Sequence, residues 1–520
     1  MKKKVFFIIP PAFSHRTAEE NLGVGYLAAT LREADYQVCI IDAWIMGMSM
    51  DELLEKVSHI VKEEKDSILY IGISTYVSCL GKVKEIVNVI KSISDIPIVA
   101  GGFGPSFFAE DFIDIGIDFV SYGEGEKTNL ALCKYFNGEG SLENINGLIY
   151  KRGEELVRTE PNDMIEDLDS LPFSARDTLD VILKRKSSVN ILSARGCKGQ
   201  CKFCSVIAFH KLSNGKLWRQ RSIENFVDEI EELYNNGVDF FKVIDDSFIE
   251  KPRDVEWCRK FKDEIKKRNI KARFRGSLVA EYVTDEIISN LKEAGFFSFA
   301  CGIESFSETA LRRFGKRATV EDNVNAVNVF HKYGIYAQCG FILFDPYTTL
   351  EELEENLKYF KKLDFILCKG IFTELYAAEG TEFTNKLLLN SDTGELERHN
   401  ENYTYQIKDE KVIRIYNALK KWHKAYGNLY DMLIDPLTAP KNIAPEYMKE
   451  IYNEYLIVRK RDIQFMDLVI MNVKAGIDVT DQTDSEIAKN MENLKRLQVS
   501  LQRIYEKAGI EYDGELNSYL

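Results

Sequence analysis

The chain has 520 residues, 45% of them hydrophobic and 29% charged, with a formal net charge of −14. That length calls for roughly two to four folding units, and the apolar share excludes a disordered chain. The acidic balance excludes a nucleic-acid backbone as the main partner, because no basic excess is available to displace counterions.

The start, Met1-Lys-Lys-Lys4 followed by Val5-Phe-Phe-Ile-Ile9, opens like a signal peptide. Pro10-Pro11 ends the apolar run and no small-residue cleavage site follows. No other apolar run approaches the roughly 20 residues needed to span a bilayer. A soluble, cytoplasmic protein with no membrane partner is therefore expected.

Residues 1–137 alternate strand and helix. Strands are expected at Val5–Ile9, Val38–Asp42, Ile68–Ser74, Ile96–Ala100 and Phe119–Tyr122, with helices over Asn21–Ala34, Met50–Lys62 and Lys82–Ile93. Continuous apolar strands between amphipathic helices specify a parallel sheet covered on both faces, a Rossmann-like α/β domain. Ligands of such sheets bind beyond the carboxyl ends of the strands. The turns Gly101-Gly102-Phe103-Gly104 and Gly123-Glu124-Gly125-Glu126 fall there. Neither is GxGxxG, so a dinucleotide site is weakly indicated, and the glycines could serve tight turns alone.

Residues 138–185 read as a linker with a small hairpin near Gly147–Gly153. Residues 186–384 form a second alternating block. Its six expected strands are Val189–Ser193, Phe240–Ile244, Ala272–Gly276, Phe297–Gly302, Ala337–Phe344 and Ile371–Tyr376. They predict a partial or full β/α barrel whose site lies at the strands' carboxyl ends. Residues 385–520 predict an all-helical domain, with helices over Glu410–Asn428, Glu446–Val473 and Asp484–Ala508 punctuated by Pro436, Pro440 and Pro445. Along it Tyr403, Tyr405, Trp422, His423, Tyr426 and Tyr430 read either as packing residues or as a cap over a substrate.

Seven of the ten cysteines stand singly in apolar or helical contexts and are expected as buried free thiols. Cys197, Cys201 and Cys204 cluster within eight residues just after the first strand of the second block. Three thiolates on one loop suit three irons of a [4Fe–4S] cluster and leave the fourth open. The alternatives are a Cys₃His zinc site completed by His210 and a chance grouping.

The Cx₃Cx₂C spacing, with Phe203 before the last cysteine, on the first loop of a β/α barrel resembles the radical S-adenosylmethionine (SAM) superfamily. Ile244-Asp-Asp-Ser-Phe248, Gly302-Ile-Glu-Ser305 and Gly380-Thr381 fit the same pattern. The resemblance implies that Phe203 flanks the adenine of SAM, and that Asp245, Ser277 and Glu304 contact SAM. Pro346-Tyr-Thr-Thr349 departs from the family's Pro-Gly-Glu-Thr.

Asn21-Leu-Gly-Val-Gly-Tyr-Leu27, Gly72-Ile-Ser-Thr-Tyr76, Val99–Pro105 and Tyr122–Glu126, together with Trp218-Arg-Gln-Arg-Ser222, resemble the cobalamin-binding class of that superfamily. The resemblance implies a cobalamin site made by Ser74, Thr75, Tyr76, Gly101, Gly102, Phe103, Gly123, Glu124, Gly125 and Glu126. The Asp-x-His-x-x-Gly string that supplies a lower axial His elsewhere is missing: Asp42-Ala-Trp-Ile-Met-Gly47 has Trp44 at the middle position, and His15 lacks the surrounding motif. Tyr76 is then the candidate beneath the cobalt.

The implied activity is methyl transfer to an unactivated carbon of a natural-product or peptide substrate through a 5′-deoxyadenosyl radical. An electron donor of flavodoxin or ferredoxin type is implied as partner, and no protein general base is required. The alternatives are a radical rearrangement or cyclisation with the same cofactors, and a non-catalytic Fe–S sensor or scaffold.

Overall fold

The computed structural model describes residues 4–11, 19–185, 188–390, 396–438 and 443–509. His15 and Pro440 lie outside them. Five parallel strands build the first sheet: β1 (Lys4–Ile9), β2 (Gln37–Asp42), β3 (Ile68–Ser74), β4 (Ile98–Gly101) and β5 (Phe119–Ser121), in spatial order β2-β1-β3-β4-β5. Alternation in β1 explains the two-sided core. Phe6 and Ile8 pack with Ile73, Ile98 and Phe112 on one face, and Val5 and Phe7 with Tyr70, Val99 and Leu132 on the other.

The expected hairpin is present as β6 (Leu148–Arg152) and β7 (Glu155–Arg158), and it extends the same sheet antiparallel from β5. Local chemistry sets the helix starts. Asn21 Oδ1 accepts Val24 N–H at 3.0 Å to cap Leu22–Glu33, and Ser49 with Glu52 forms a capping box on Met50–Glu64.

The second block opens with β8 (Val189–Ile191), followed by the antiparallel pair β9 (Ala194–Gly196) and β10 (Trp218–Gln220). The strands β11 (Phe240–Val243), β12 (Arg273–Val279), β13 (Phe296–Glu304) and β14 (Tyr336–Phe341) complete a parallel sheet ordered β8-β11-β12-β13-β14. This is a partial barrel. The sixth expected strand, Ile371–Tyr376, is reduced to an isolated bridge between Phe344 and Glu374. Gly370, at φ 73, turns the chain just before it and donates to Cys368 O at 2.9 Å, which stops a ladder from propagating.

The carboxyl-terminal part is helical, with Glu410–Tyr426, Leu429–Thr438, Pro445–Lys474 and Thr480–Ala508. Two features depart from expectation. A three-stranded sheet joins β15 (Ala377–Ala378) to the hairpin β16 (Arg398–His399) and β17 (Asn402–Tyr403). Pro436 lies inside a helix instead of ending one. A proline removes the N–H that would bond the carbonyl four residues back, and here Tyr505 donates its hydroxyl to Met432 O at 2.6 Å. Among the described residues no helix is long and apolar enough to cross a membrane.

Candidate active site

The three clustered cysteines sit on the loop that leaves β9 and returns to β10. Gly196 pairs with Trp218, so both ends of that excursion are held together. Lys202 donates its N–H to Phe314 O and accepts Phe383 N–H at its own carbonyl, each at 2.8 Å. Gly199 N–H donates to Cys197 Sγ at 3.2 Å, and Cys204 N–H to Cys201 O at 3.2 Å.

A Cβ at Gly199 would stand 3.2 Å from Cys197 Sγ and 3.8 Å from Cys201 Sγ, so the missing side chain leaves open the space between two of the thiols. All three are free and half-buried. Burial pushes the Cys197 thiol up to about 12, with the Glu250 carboxylate, its hydrogen-bond acceptor at 3.4 Å, adding to the rise. Burial raises Cys201 and Cys204 as well, while Lys316 draws Cys201 back down.

Raised in this way the thiols stay protonated until a metal displaces the proton, and three soft sulfur donors on one loop fit iron–sulfur chemistry. His210 does not join them, because its Nε2 meets Asp246 Oδ2 at 3.1 Å. Among the described residues no three His, Cys, Asp or Glu side chains converge as a single metal ion requires. Ligands to three separate irons need no such convergence.

Beside this loop lies a cavity of about 1050 Å³ at the carboxyl ends of the first sheet, at the upper end of the roughly 300–1,000 Å³ of small-molecule sites. Ser74, Thr75, Tyr76, Gly101, Gly102, Phe103, Gly123, Glu124, Gly125 and Glu126 all line it. The opposite wall comes from the barrel, through Asn190, Arg195, Lys242 and Asp246, and from the helix Ser205–His210 that follows Cys204. Phe103 and Phe209 stack across the boundary with centroids 6.3 Å apart.

Tyr76 is 60% exposed into this space. Gly102 has φ 97, and a Cβ there would stand 3.3 Å from Thr75 O, so the turn after β4 needs glycine. Ser121 lines the cavity with its buried Oγ lacking a hydrogen-bond partner. An orphaned hydroxyl in a cradle of hydroxyls, backbone and glycine turns fits a large ligand with many amide groups.

The acidic turn after β5 does more than line the cavity. Glu124 pairs with Arg219 at 2.8 Å and Arg195 at 3.5 Å, and Glu126 pairs with Arg195 at 2.6 Å. These carboxylates clamp the first sheet to β9 and β10.

The positions expected near SAM divide. Phe203 packs edge-on against Phe314, centroids 5.7 Å apart. Ser277 sits on β12, half-buried. Glu304 ends β13 at φ 63, a rare backbone state for a glutamate. Its carboxyl lies 3.7 Å from Lys316, and burial raises its pKa against that lysine's pull.

Asp245 does not face the cavity. It is fully buried, accepts Ser193 N–H at 2.7 Å and the Ser193 hydroxyl, and lies 3.6 Å from Arg253. The acid on the cavity wall is its neighbour Asp246, whose Oδ2 also accepts Gly196 N–H at 3.0 Å. In the departing loop, Thr349 caps the helix Leu350–Lys362 and Asp345 pairs with Arg313 at 2.7 Å.

Asn21, which opens one of the stretches singled out in the sequence, donates to Ser74 Oγ at 3.1 Å, while Ser121 and Glu401 are among the cavity residues that escaped the sequence reading. Within the aromatic series of the carboxyl-terminal part, Trp422 and Tyr430 are packing residues. Trp422 stacks on Phe465 with centroids 4.1 Å apart and, like Tyr430, donates to the buried Asp462.

The chain matches the radical SAM superfamily over residues 191–360 and the B12 binding domain over residues 15–133. It is similar to an uncharacterized methyltransferase of Pyrococcus horikoshii, 29% identical over 374 residues that cover 69% of this chain and 78% of that protein. It is also similar to the anaerobic magnesium-protoporphyrin IX monomethyl ester cyclase of Synechocystis, 26% identical over 66% of this chain and 68% of that one.

Among solved structures, the cobalamin-dependent SAM radical enzyme OxsB with aqua-cobalamin bound shares the fold with a TM-score of 0.77 and 20% identity, over 97% of this chain and 81% of that one. The radical SAM methyltransferase TsrM of Kitasatospora setae, with cobalamin and a [4Fe–4S] cluster bound, gives a TM-score of 0.62 and 18% identity, over 77% of this chain and 82% of that one.

A cysteine-bearing barrel loop sharing a cavity with the ligand end of a Rossmann-like sheet defines a two-cofactor radical enzyme. The chain belongs to the cobalamin-binding radical SAM superfamily. Its cofactors are a [4Fe–4S] cluster, SAM and cobalamin.

Proposed function

We propose that this enzyme transfers a methyl group to an unactivated carbon of a small-molecule or peptide substrate. The observation that carries the reading is the single cavity to which the glycine turns after β4 and β5 and the helix after Cys204 both contribute. When bound, the cluster, SAM and cobalamin supply the radical and methyl-transfer chemistry.

The chain's own residues bind and orient. Cys197, Cys201 and Cys204 hold the cluster, with Lys316 bringing positive charge to Cys201. Glu304 and Ser277 contact SAM from the carboxyl half of the barrel, and Phe203 presents its ring to the adenine. The turns at Ser74–Tyr76, Gly101–Phe103 and Gly123–Glu126 would hold the cobalamin, with the exposed Tyr76 ring among the groups facing it. The likeness to the Pyrococcus protein, an uncharacterized methyltransferase, supports the reaction.

On the outer rim, Lys198, Lys251 and Arg317 are exposed beside the cysteines, a basic edge suited to an acidic flavodoxin- or ferredoxin-type donor. The Synechocystis relative, described as a cyclase, keeps open a rearrangement or ring closure with the same cofactors.

The two readings separate on their products. Anaerobically reconstituted enzyme is given methyl-deuterated SAM, a reductant and a metabolite extract of the host. Methylation yields S-adenosylhomocysteine together with 5′-deoxyadenosine, and a product carrying the deuterated methyl. A rearrangement yields 5′-deoxyadenosine without S-adenosylhomocysteine, and that result would sink the methyltransferase reading.

A further inference from the structure

Glu401 lies in the turn between β16 and β17, yet its side chain forms part of the cavity wall beside the amino-terminal domain. It is 7% exposed, and its Oε1 accepts Ser78 N–H at 3.1 Å. Ser78 belongs to the short turn Val77–Cys79, which directly follows Tyr76 and leads into the helix Leu80–Ile93. The first N–H groups of such a segment have no partner within it, and a carboxylate is the strongest acceptor for one of them.

Two further contacts hold the hairpin in place. Arg398 pairs with Asp111 at 2.7 Å, with its guanidinium 4.9 Å from the Phe108 ring centre. Gly380, at φ 76, sits so close to the amino-terminal domain that a Cβ there would stand 2.2 Å from the Phe107 ring. From its own side, Glu379 N–H donates to Glu401 O at 3.2 Å, and Ala378 on β15 pairs with Asn402. The hairpin is thus clasped to the elements that carry Tyr76 and Phe103. No such carboxylate was foreseeable, since its partner lies 323 residues away.

We infer that the β16–β17 hairpin is part of the cobalamin site, and that Glu401 is a positioning residue that fixes the Val77–Cys79 turn and thereby the presentation of Tyr76 to the cavity. This rests on the reading of Tyr76 as a residue that faces the cobalamin. A carboxylate bound to Ser78 N–H holds the turn against the hairpin. Without it that N–H must recruit water, and the backbone on which Tyr76 rides is released from the carboxyl-terminal part.

The experiment uses the full chain, reconstituted with cluster and hydroxocobalamin. It reads the cobalamin dissociation constant and the visible spectrum of the bound cofactor in Glu401→Ala, Glu401→Gln, Tyr76→Ala and the double variant Tyr76→Ala/Glu401→Ala. Glu401→Ala is expected to weaken binding roughly tenfold, the size of one lost charge-assisted hydrogen bond, and to move the spectrum as Tyr76→Ala does. Glu401→Gln keeps an oxygen acceptor for Ser78 and is expected to stay near wild type. The double variant is expected to be no worse than Tyr76→Ala alone, because coupled residues are not additive.

A shifted Tyr76→Ala spectrum beside a wild-type Glu401→Ala spectrum and affinity overturns the inference alone, and so does an additive double variant. An unshifted Tyr76→Ala spectrum overturns the placement of Tyr76 and this inference with it. Should Glu401→Ala fail to fold, Arg398→Ala loosens the same hairpin and is held to the same outcomes.

Discussion

Glu124 and Arg219 meet at 2.8 Å across the boundary between the first sheet and the barrel, with side chains 8% and 2% exposed. Burial works against the Glu124 charge, but Arg195 and Arg219 outweigh it and hold the carboxyl below its ordinary range. Removing one partner of a buried pair strands the other charge, at a cost of about 3–5 kcal/mol. Arg195 remains near Glu124, so Arg219→Ala is expected at the low end, about 3 kcal/mol.

A lowered carboxyl pKa stabilises above the unfolded value, and that contribution fades as pH falls through the folded one. Thermal unfolding of wild type and Arg219→Ala at pH 7 and at pH 4 checks this. The gap between them should narrow at the lower pH, and an equal gap at both would count against the clamp.

Ser121 is the sharpest probe of the cavity. Its Oγ is buried without a partner in the ligand-free chain, so Ser121→Ala should leave apo stability unchanged or slightly raised. If cobalamin supplies the missing partner, affinity should fall several-fold, the equivalent of about 1 kcal/mol. Equilibrium titration with hydroxocobalamin, paired with apo melting curves, reads both. A drop in apo stability with unchanged affinity is the opposite result.

Asp42 offers a test by pH. Burial raises its carboxyl to about 6, although it caps the short helix Ala43–Met46 by accepting Ile45 N–H at 3.0 Å. A raised carboxyl pKa means the charged form costs stability, in full above pH 6 and vanishing below about pH 4. Roughly two pH units correspond to about 3 kcal/mol. Asp42→Asn keeps a capping side chain without the charge. It is expected to raise the melting point at pH 8 and to change little at pH 4.

The two cofactor sites should come apart under mutation. Cys204→Ala removes one of three thiolates, so iron per chain should drop to background and 5′-deoxyadenosine formation should cease. Cobalamin binding should persist, because none of the three cysteines lines the large cavity. Iron analysis and cobalamin titration on the same preparation decide it, and loss of both cofactors together would show that one depends on the other.

The parts of this site that could be read from the chain are those fixed by local chemistry. Glycine turns at the ends of apolar parallel strands announce a ligand edge, and the ten positions implied by the family resemblance, seven of them in those turns, line one cavity. The cysteine loop was legible for the same reason. The features that local sequence left open depended on distant partners. Asp245 and Asp246 differ by one place, and only the buried Ser193 and Arg253 decide which carboxylate turns inward. Ile371–Tyr376 reads as a strand, but Gly370, at φ 73, turns the chain and only isolated bridges form on either side of it. Pro436 reads as a helix end, and the hydroxyl of Tyr505, from the last helix, compensates for its missing donor. The strands of the hairpin that carries Glu401 are two residues each, too short to leave a periodic trace.

Arg195 and Arg219, on β9 and β10, bracket the cysteine loop, and both are tied to the glutamates of the turn after β5. Each end of the loop is therefore moored in a neighbouring domain before any iron arrives. The entropy of ordering that excursion is met when the chain folds and does not fall on cluster insertion, which lets the apo protein serve as a preset receptacle. Damage to Gly123–Glu126 would then be felt at the cysteines, as slower or incomplete metal loading, although that turn supplies none of the three thiols.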